Sequence, residues 1–271
     1  MSQPGSRFPH LVEIMRTLRG PGGCPWDREQ TLRSLRPFLL EECHEALDAI
    51  DRQDMPDLRE ELGDLLFEVV FLAQVADDAG AFTIDDAVET VSAKLVRRHP
   101  HVFGDAEALR SAEEVLGRWE DLKREERAAA GAAPKTTLEG VPRSLPGLLR
   151  AYEYGSRAAT QGFDWARSED VVAKIREEID EVEQVVRAAD RRDASTADEK
   201  LEEEVGDLLF AIANLSRKLG VEPETALRRA NDKFAARFTA LERRVRERGA
   251  VMKDEPRETL EAEWQEVKRT V

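Results

Sequence analysis

From Phe8 to Arg19 the apolar residues Leu11, Val12, Ile14, Met15 and Leu18 recur at helical intervals, and Gly20-Pro21-Gly22-Gly23 ends the pattern. Cys24-Pro25-Trp26-Asp27 leads into a second helical stretch, from about Thr31 to Gln53. Asp54-Met55-Pro56-Asp57 breaks it, because proline cannot continue a helix yet suits the first turn of the next one. That next helix, roughly Asp57 to Ala79, contains Leu65-Leu66-Phe67-Glu68-Val69-Val70-Phe71-Leu72. The run is apolar almost all round, which predicts burial on more than one side. Gly80 closes it. A further helix extends from Ile84 to about Arg98 and stops at His99-Pro100, and another, around Ala112 to Ala130, carries Trp119 and Lys123.

Residues 128 to 147 change character: small residues and spaced prolines, Pro142 and Pro146 among them, read as a linker. The pattern then restarts. A helix around Leu148 to Ala159 is followed by Gly162-Phe163-Asp164-Trp165 and by a helix holding Glu177, Glu178 and Glu181. A polar loop from Arg191 to Asp198 leads to a helix with Glu204 and Asp207. Gly220 ends that helix, Pro223 opens another with Lys233 and Arg237, and the last helix holds Trp264 and Lys268. An all-α protein is expected, with one helical module over 1–127, a linker over 128–147 and a second module over 148–271.

The restart is a duplication. Glu42 and Glu45 match Glu178 and Glu181, and Glu61-x-x-Asp64 matches Glu204-x-x-Asp207 within an identical Gly-Asp-Leu-Leu-Phe. Lys94-x-x-x-Arg98 matches Lys233-x-x-x-Arg237, and Trp119-x-x-x-Lys123 matches Trp264-x-x-x-Lys268. Matches in the same order indicate two copies of a whole domain, and a unit this long, present twice, is unlike a stacked solenoid.

Charge narrows the possible chemistry. A formal net charge of −15 excludes a general nucleic-acid backbone binder, which needs a basic footprint. Residues 1–10 lack the apolar centre of a signal peptide and no apolar run is long enough to span a membrane, so no membrane role and a cytoplasmic location are expected. Cys24 and Cys43 are read as free thiols. No Lys-Ser or Lys-Thr follows the early glycines, so they form a turn rather than a Walker-type phosphate loop.

Residues three or four apart share a helix face, so Glu178 with Glu181, and Glu204 with Asp207, each make a two-carboxylate edge. If the two helices are antiparallel neighbours, the edges converge. Carboxylates so close repel one another unless protons or a multivalent cation neutralise them, and an all-oxygen donor set favours Mg²⁺ or Mn²⁺. Gly206 would let another backbone approach beside the site. Acidic pairs on helices are usually solvated faces. Here they adjoin Leu-Leu-Phe and occur twice.

These Glu-x-x-Glu and Glu-x-x-Asp pairs, with the downstream Lys-x-x-x-Arg, resemble the MazG family of nucleoside triphosphate pyrophosphohydrolases in its two-copy form. Gly-Gly-Cys-Pro-Trp-Asp, Glu-Leu-Gly-Asp-Leu-Leu-Phe and Arg-Arg-His-Pro-His-Val-Phe are also similar to that family, and the likeness extends from Leu11 to Lys268. The resemblance implies four-helix catalytic modules, a homodimer and Mg²⁺-dependent hydrolysis of NTP to NMP and pyrophosphate. On that reading Glu178, Glu181, Glu204 and Asp207 hold the metal, and Lys233 and Arg237 neutralise the β- and γ-phosphates. Glu177 is a candidate to accept the proton of the attacking water, and Trp264 and Lys268 to meet the base and a phosphate. A core tryptophan is the alternative for Trp264.

The copies differ in charge. Lys174 and Lys200 each precede a site glutamate by one turn in the second copy, where the first has Phe38 and Asp57. The second copy is therefore expected to bind and cleave the triphosphate. The first copy, with Glu42, Glu45, Glu61 and Asp64, is expected to form a second, weaker metal site. Two other readings compete. A di-iron bundle would use Glu41-x-x-His44, but the second copy has Asp180 where the second histidine is needed. A non-catalytic helical regulator would bind metal or nucleotide without turnover.

Overall fold

In the computed structural model the described residues are 5–104, 111, 118, 122, 136–189 and 194–270. Trp119, Lys123, most of the helix expected over 112–130 and the start of the expected linker lie outside them. The described residues contain helices and turns and no strand. The chain divides into two compact units, Met1–Ala132 and Ala133–Val271.

The first unit contains α1 (Phe8–Arg19), α2 (Pro25–Glu29), α3 (Arg36–Arg52), α4 (Met55–Asp78), α5 (Ile84–Arg98) and α6 (Pro100–Phe103). The single long helix expected from Thr31 starts later, at Arg36, because Pro37 fits only a first helical turn. Before it, Pro25 opens the short α2. Gln53, at φ 56°, turns the chain out of α3. Asp54 then caps α4 by accepting the Asp57 backbone N–H at 3.2 Å, so α3 and α4 form a tight antiparallel hairpin. A capping box of Thr83 and Asp86 starts α5. At the turn after α1, a Cβ on Gly23 would stand 2.2 Å from the Leu18 carbonyl oxygen, which is why the position is glycine.

Met15, Leu35, Val70 and Phe71 form the core of this unit, with α1 and α3 packed on α4. Fully burying one such side chain contributes roughly 1.5–3 kcal/mol. The apolar run of α4 is buried on one side only: Val70 and Phe71 are buried, whereas Leu62, Leu66 and Val69 are exposed. These three fall at i, i+4 and i+7 and make a single stripe.

The second unit contains α7 (Gly147–Thr160), α8 (Ser168–Ala189), α9 (Ala194–Lys218), α10 (Pro223–Glu247) and α11 (Arg257–Thr270), with a 3-10 turn at Met252–Asp254. Part of the expected polar loop, from Ala194 on, is already helical, and residues 191–193 lie outside the described residues. α9 packs on α7 and α8, and α10 on α11. The α7–α9 contact is close at Gly155, where a Cβ would lie 2.3 Å from Asn214 Oδ1. Leu241, Val245 and Val267 form a core between α10 and α11, with Trp264 packed against it. α9 repeats the exposed stripe of α4: Val205, Leu209 and Ile212 stand in register with Leu62, Leu66 and Val69.

Candidate metal and phosphate site

On α8 the residues Val171, Glu178 and Val185 are spaced seven apart, and all three are buried, at 0%, 4% and 6% exposure. Glu178 therefore occupies a core-facing position. Glu204 does the same on α9, seven residues before the buried Ala211. Packing α9 against α8 brings one carboxylate oxygen each from Glu178, Glu181 and Glu204 within 4.8 Å of one another. Asp207 is exposed and stands outside this group of three.

Two lysines border the cluster. Lys174 Nζ lies 2.8 Å from both Glu177 Oε1 and Glu178 Oε1, and Lys200 Nζ lies 3.3 Å from Glu204 Oε1. Glu178 Oε2 is buried and has no hydrogen-bond partner, so one oxygen of the deepest acid has no donor. Burial pushes the Glu181 carboxyl above its ordinary pKa, and the charges of Glu178 and Glu204 push it further, against a smaller lowering by Lys174. The Lys174 ammonium is held protonated by its hydrogen bonds to Glu177 and Glu178. A hard cation with oxygen ligands fits this donor set: the oxygens converge, one buried oxygen is orphaned, and only part of the negative charge is balanced.

The first unit repeats the arrangement, and among the described residues no lysine pairs with its three clustered carboxylates. Leu35, Glu42 and Ala49 share the seven-residue spacing on and just before α3, and Glu42, Glu45 and Glu61 bring ligand oxygens within 4.8 Å. Asp64, like Asp207, is exposed and outside the trio. Burial raises the Glu42 carboxyl, followed by the charges of Asp64, Glu45 and Glu41; burial also raises Glu61, followed by Glu45, Asp57, Glu42 and Asp64. The sequence reading overlooked Glu68, which is only 5% exposed, has an unpartnered buried Oε2, and has its pKa raised by burial and by Glu42. The available signal was its spacing, seven residues after Glu61 and inside an apolar run.

The remaining expected residues lie on α10 and α11. Lys233 is exposed on α10, and Arg237 presents a buried Nε with no partner. Phe234 lies 5.6 Å from Trp264 and 5.7 Å from Phe238, and Lys268 Nζ sits 5.7 Å from the Trp264 ring centroid. Among the described residues no hydrogen bond or ion pair joins Lys233, Arg237 or Lys268 to the carboxylates. Apart from α9's own backbone, no heavy atom of the described residues lies within 4 Å of a Cβ placed on Gly206, so the close backbone approach expected there does not occur among them. The thiols of Cys24 and Cys43 are free. No described helix is long and apolar enough to cross a membrane.

The family described as MazG nucleotide pyrophosphohydrolase domain matches the chain twice, over residues 30–103 and 167–240. Each match contains one carboxylate cluster. A nucleoside triphosphate pyrophosphohydrolase of Escherichia coli K12 is 51% identical over 97% of this chain and 98% of its own length. The Thermotoga maritima nucleoside triphosphate pyrophosphohydrolase/pyrophosphatase MazG is 43% identical over 99% of this chain and 98% of its own. Among solved structures, a mazG-related protein from Thermotoga maritima is 31% identical, with a TM-score of 0.38, over 43% of this chain and 98% of that one.

Proposed function

The chain belongs to the MazG nucleotide pyrophosphohydrolase family, and from that membership we propose that its C-terminal unit hydrolyses nucleoside triphosphates to the monophosphate and pyrophosphate, clearing unwanted nucleotides from the pool. The observation that carries the assignment to this unit is the convergence of Glu178, Glu181 and Glu204 beside two ammonium groups, Lys174 and Lys200.

Mg²⁺, or Mn²⁺ in its place, is the cofactor of this reading, held by Glu178, Glu181 and Glu204 with Asp207 at the exposed edge. Bound there, such an ion supplies Lewis-acid polarisation of the α-phosphate and acidifies the attacking water. Lys174 and Lys200 exchange a carboxylate partner for a phosphate oxygen, which keeps the triphosphate from being repelled by the acids. Glu177, outside the trio and paired with Lys174, accepts the proton of the water. Lys233 and Arg237 take up the charge of the departing pyrophosphate, and Trp264 with Lys268 meets the base and a phosphate.

Among the described residues no hydrogen bond or ion pair joins Lys233 or Arg237 to the carboxylates, and α4 and α9 each expose an apolar stripe. A homodimer that covers those stripes and completes the site is part of the same reading. The substrate is a free nucleotide rather than a nucleic-acid polymer, in keeping with the charge of −15, and the expected location is cytoplasmic. The test is incubation with NTP and Mg²⁺ and measurement of pyrophosphate against orthophosphate. Pyrophosphate with NMP is expected; orthophosphate alone, or no release, would overturn the proposal.

A further inference from the structure

On α10 the residues Phe234, Phe238, Leu241 and Val245 fall at i, i+4, i+7 and i+11, so they share one face of the helix. That face is closed at one end and open at the other. Leu241 and Val245 are buried with Val267 of α11, whereas Phe234 is 56% and Phe238 37% exposed. Trp264 stands at the junction: it packs against the buried end, and its ring lies 5.6 Å from that of Phe234. Phe234 and Phe238 are themselves stacked, 5.7 Å apart with an interplanar angle of 19°. The open end is an aromatic shelf with Trp264 as its inner wall.

Cations border the shelf. Lys233 precedes Phe234, Arg237 follows it by one turn, and Lys268 Nζ sits 5.7 Å from the centroid of the Trp264 ring. Arg237 Nε is buried and has no partner. In a chain with a net charge of −15, a flat apolar surface flanked by cationic side chains is complementary to a molecule that joins a planar ring system to an anionic chain. Trp264 is partly buried by the core and has Lys268 over its ring, so the open ring of the group is that of Phe234. The first copy differs at both shelf positions. Aligning Lys94 with Lys233 and Arg98 with Arg237 puts Leu95 in place of Phe234 and His99 in place of Phe238. His99 is engaged within its own segment, its Nδ1 2.7 Å from the Leu95 carbonyl oxygen and its ring 5.7 Å from that of His101.

We propose that Phe234, backed by Phe238 and Trp264, is the face on which the C-terminal unit stacks the nucleobase, and that it favours purine over pyrimidine nucleotides. The assignment rests on the proposed nucleotide chemistry of this unit and adds to it a residue that sets base selectivity. Stacking on an aromatic ring accepts every base and strengthens with ring overlap, so the preference is graded by base size rather than absolute.

The test uses full-length protein with Mg²⁺ and reads binding by calorimetry. One probe is the α,β-methylene analogue of ATP, whose α–β link resists the expected cleavage; the CTP counterpart is the second. Inorganic tripolyphosphate, which carries phosphates without a base, is the third. Phe234→Leu, the first copy's residue, is expected to weaken the ATP analogue on the order of tenfold and the CTP analogue about threefold, with tripolyphosphate within about twofold of wild type. Phe234→Tyr keeps the ring and should bind all three as the wild type does. If Phe234→Leu fails to fold, Phe238→His carries the same comparison. Equal weakening of nucleotide and tripolyphosphate, no weakening of either, or a changed oligomeric state with nucleotide binding intact overturns the proposal; equal losses for the two nucleotides overturn the purine preference. Pyrophosphate release is scored separately. A protein that releases pyrophosphate while Phe234→Leu binds nucleotide normally refutes the stacking face and leaves catalysis standing. Selective loss of the ATP analogue in a protein that releases none refutes catalysis alone.

Discussion

Lys174 and Glu178 stand one helical turn apart on α8, with the ammonium 2.8 Å from a carboxylate that is only 5% exposed. On the proposed function, the contact makes Lys174 a gate between two partners. A bare cation must displace the ammonium, whereas an incoming triphosphate offers it a new anion.

Lys174→Met is accordingly expected to strengthen nucleotide-free Mn²⁺ binding at the C-terminal site and to weaken NTP. Loss of one charge-assisted contact, roughly 1.5 kcal/mol, corresponds to about a tenfold rise in KM. Steady-state kinetics and a metal titration measure the two effects. If both stay within twofold of wild type, Lys174 has no part in the site.

The two units can be ranked by paired substitutions. Glu204→Gln removes a converging ligand from the lysine-bordered cluster and is expected to lower kcat at least about 100-fold, the scale of losing a preorganised electrostatic group. The loss in Glu61→Gln is expected to be at least tenfold smaller. Pyrophosphate release by the two variants decides the matter, and the reverse order would move hydrolysis to the N-terminal unit.

Acidification should stabilise the metal-free protein. Glu42, Glu61, Glu68 and Glu181 all have carboxyls raised above the ordinary value of 4.5. A carboxyl with a higher pKa folded than unfolded binds more protons when folded, so its contribution falls as pH rises through the folded value and recovers as pH drops toward 4.5. Without metal the Tm should rise between pH 7 and pH 5, and saturating Mn²⁺ should remove that rise. A metal-free Tm that falls steadily over this window would show that the clusters are not under repulsive strain.

Helix positions were legible because apolar periodicity and prolines act locally. The bounds of α1 and α5 follow from Gly20 and from the Thr83 capping box. Pro37 carried the same kind of information, and overlooking it extended α3 too far toward the N-terminus. The acid pairs were legible as shared helix faces, and the Lys174/Phe38 contrast as a difference between copies. Glu68 was obscured by the apolar run around it; only heptad spacing, aligned with Ala211, distinguishes it from a solvated acid. The apolar run of α4 pointed to burial on more than one side, and within this chain Leu66 and Val69 are exposed, because hydropathy reports that a face avoids water without saying which chain covers it. Whether Lys233 and Arg237 meet the carboxylates is a tertiary matter; among the described residues no hydrogen bond or ion pair joins them, and spacing along a helix carries no information about it.

Gly155 provides a test of the scaffold. A Cβ there would sit 2.3 Å from Asn214 Oδ1 and 2.9 Å from Arg217 Nε, and Asn214 is 1% exposed. Gly155→Ala is expected to destabilise by about 1–3 kcal/mol through overpacking. Gly206→Ala, with no heavy atom within 4 Å, should gain helix propensity, up to about 1 kcal/mol. Urea unfolding compares them, and equal effects would contradict the close approach of α7 to α9.

Asp164 ties the segment before α8 to α9, accepting from both guanidinium ends of Arg217 and from Lys218 Nζ at 3.0 Å. The Arg217 hydrogen bonds, with burial opposing them and Lys218 adding to them, lower its pKa from 3.8 to about 2. A carboxyl depressed in the folded state stabilises above its unfolded pKa, and that stabilisation is lost as pH falls through the folded value. Asp164→Asn should therefore cost roughly 1 kcal/mol at pH 7, a figure discounted because the residue is partly solvated. The gap to wild type should begin to close below pH 3.8 and vanish near 2. Because Arg217 and Lys218 end the helix that carries Glu204, the same variant should weaken Mn²⁺ binding at the C-terminal cluster. A stability gap that does not change with pH would show that Asp164 acts through packing rather than through its charge.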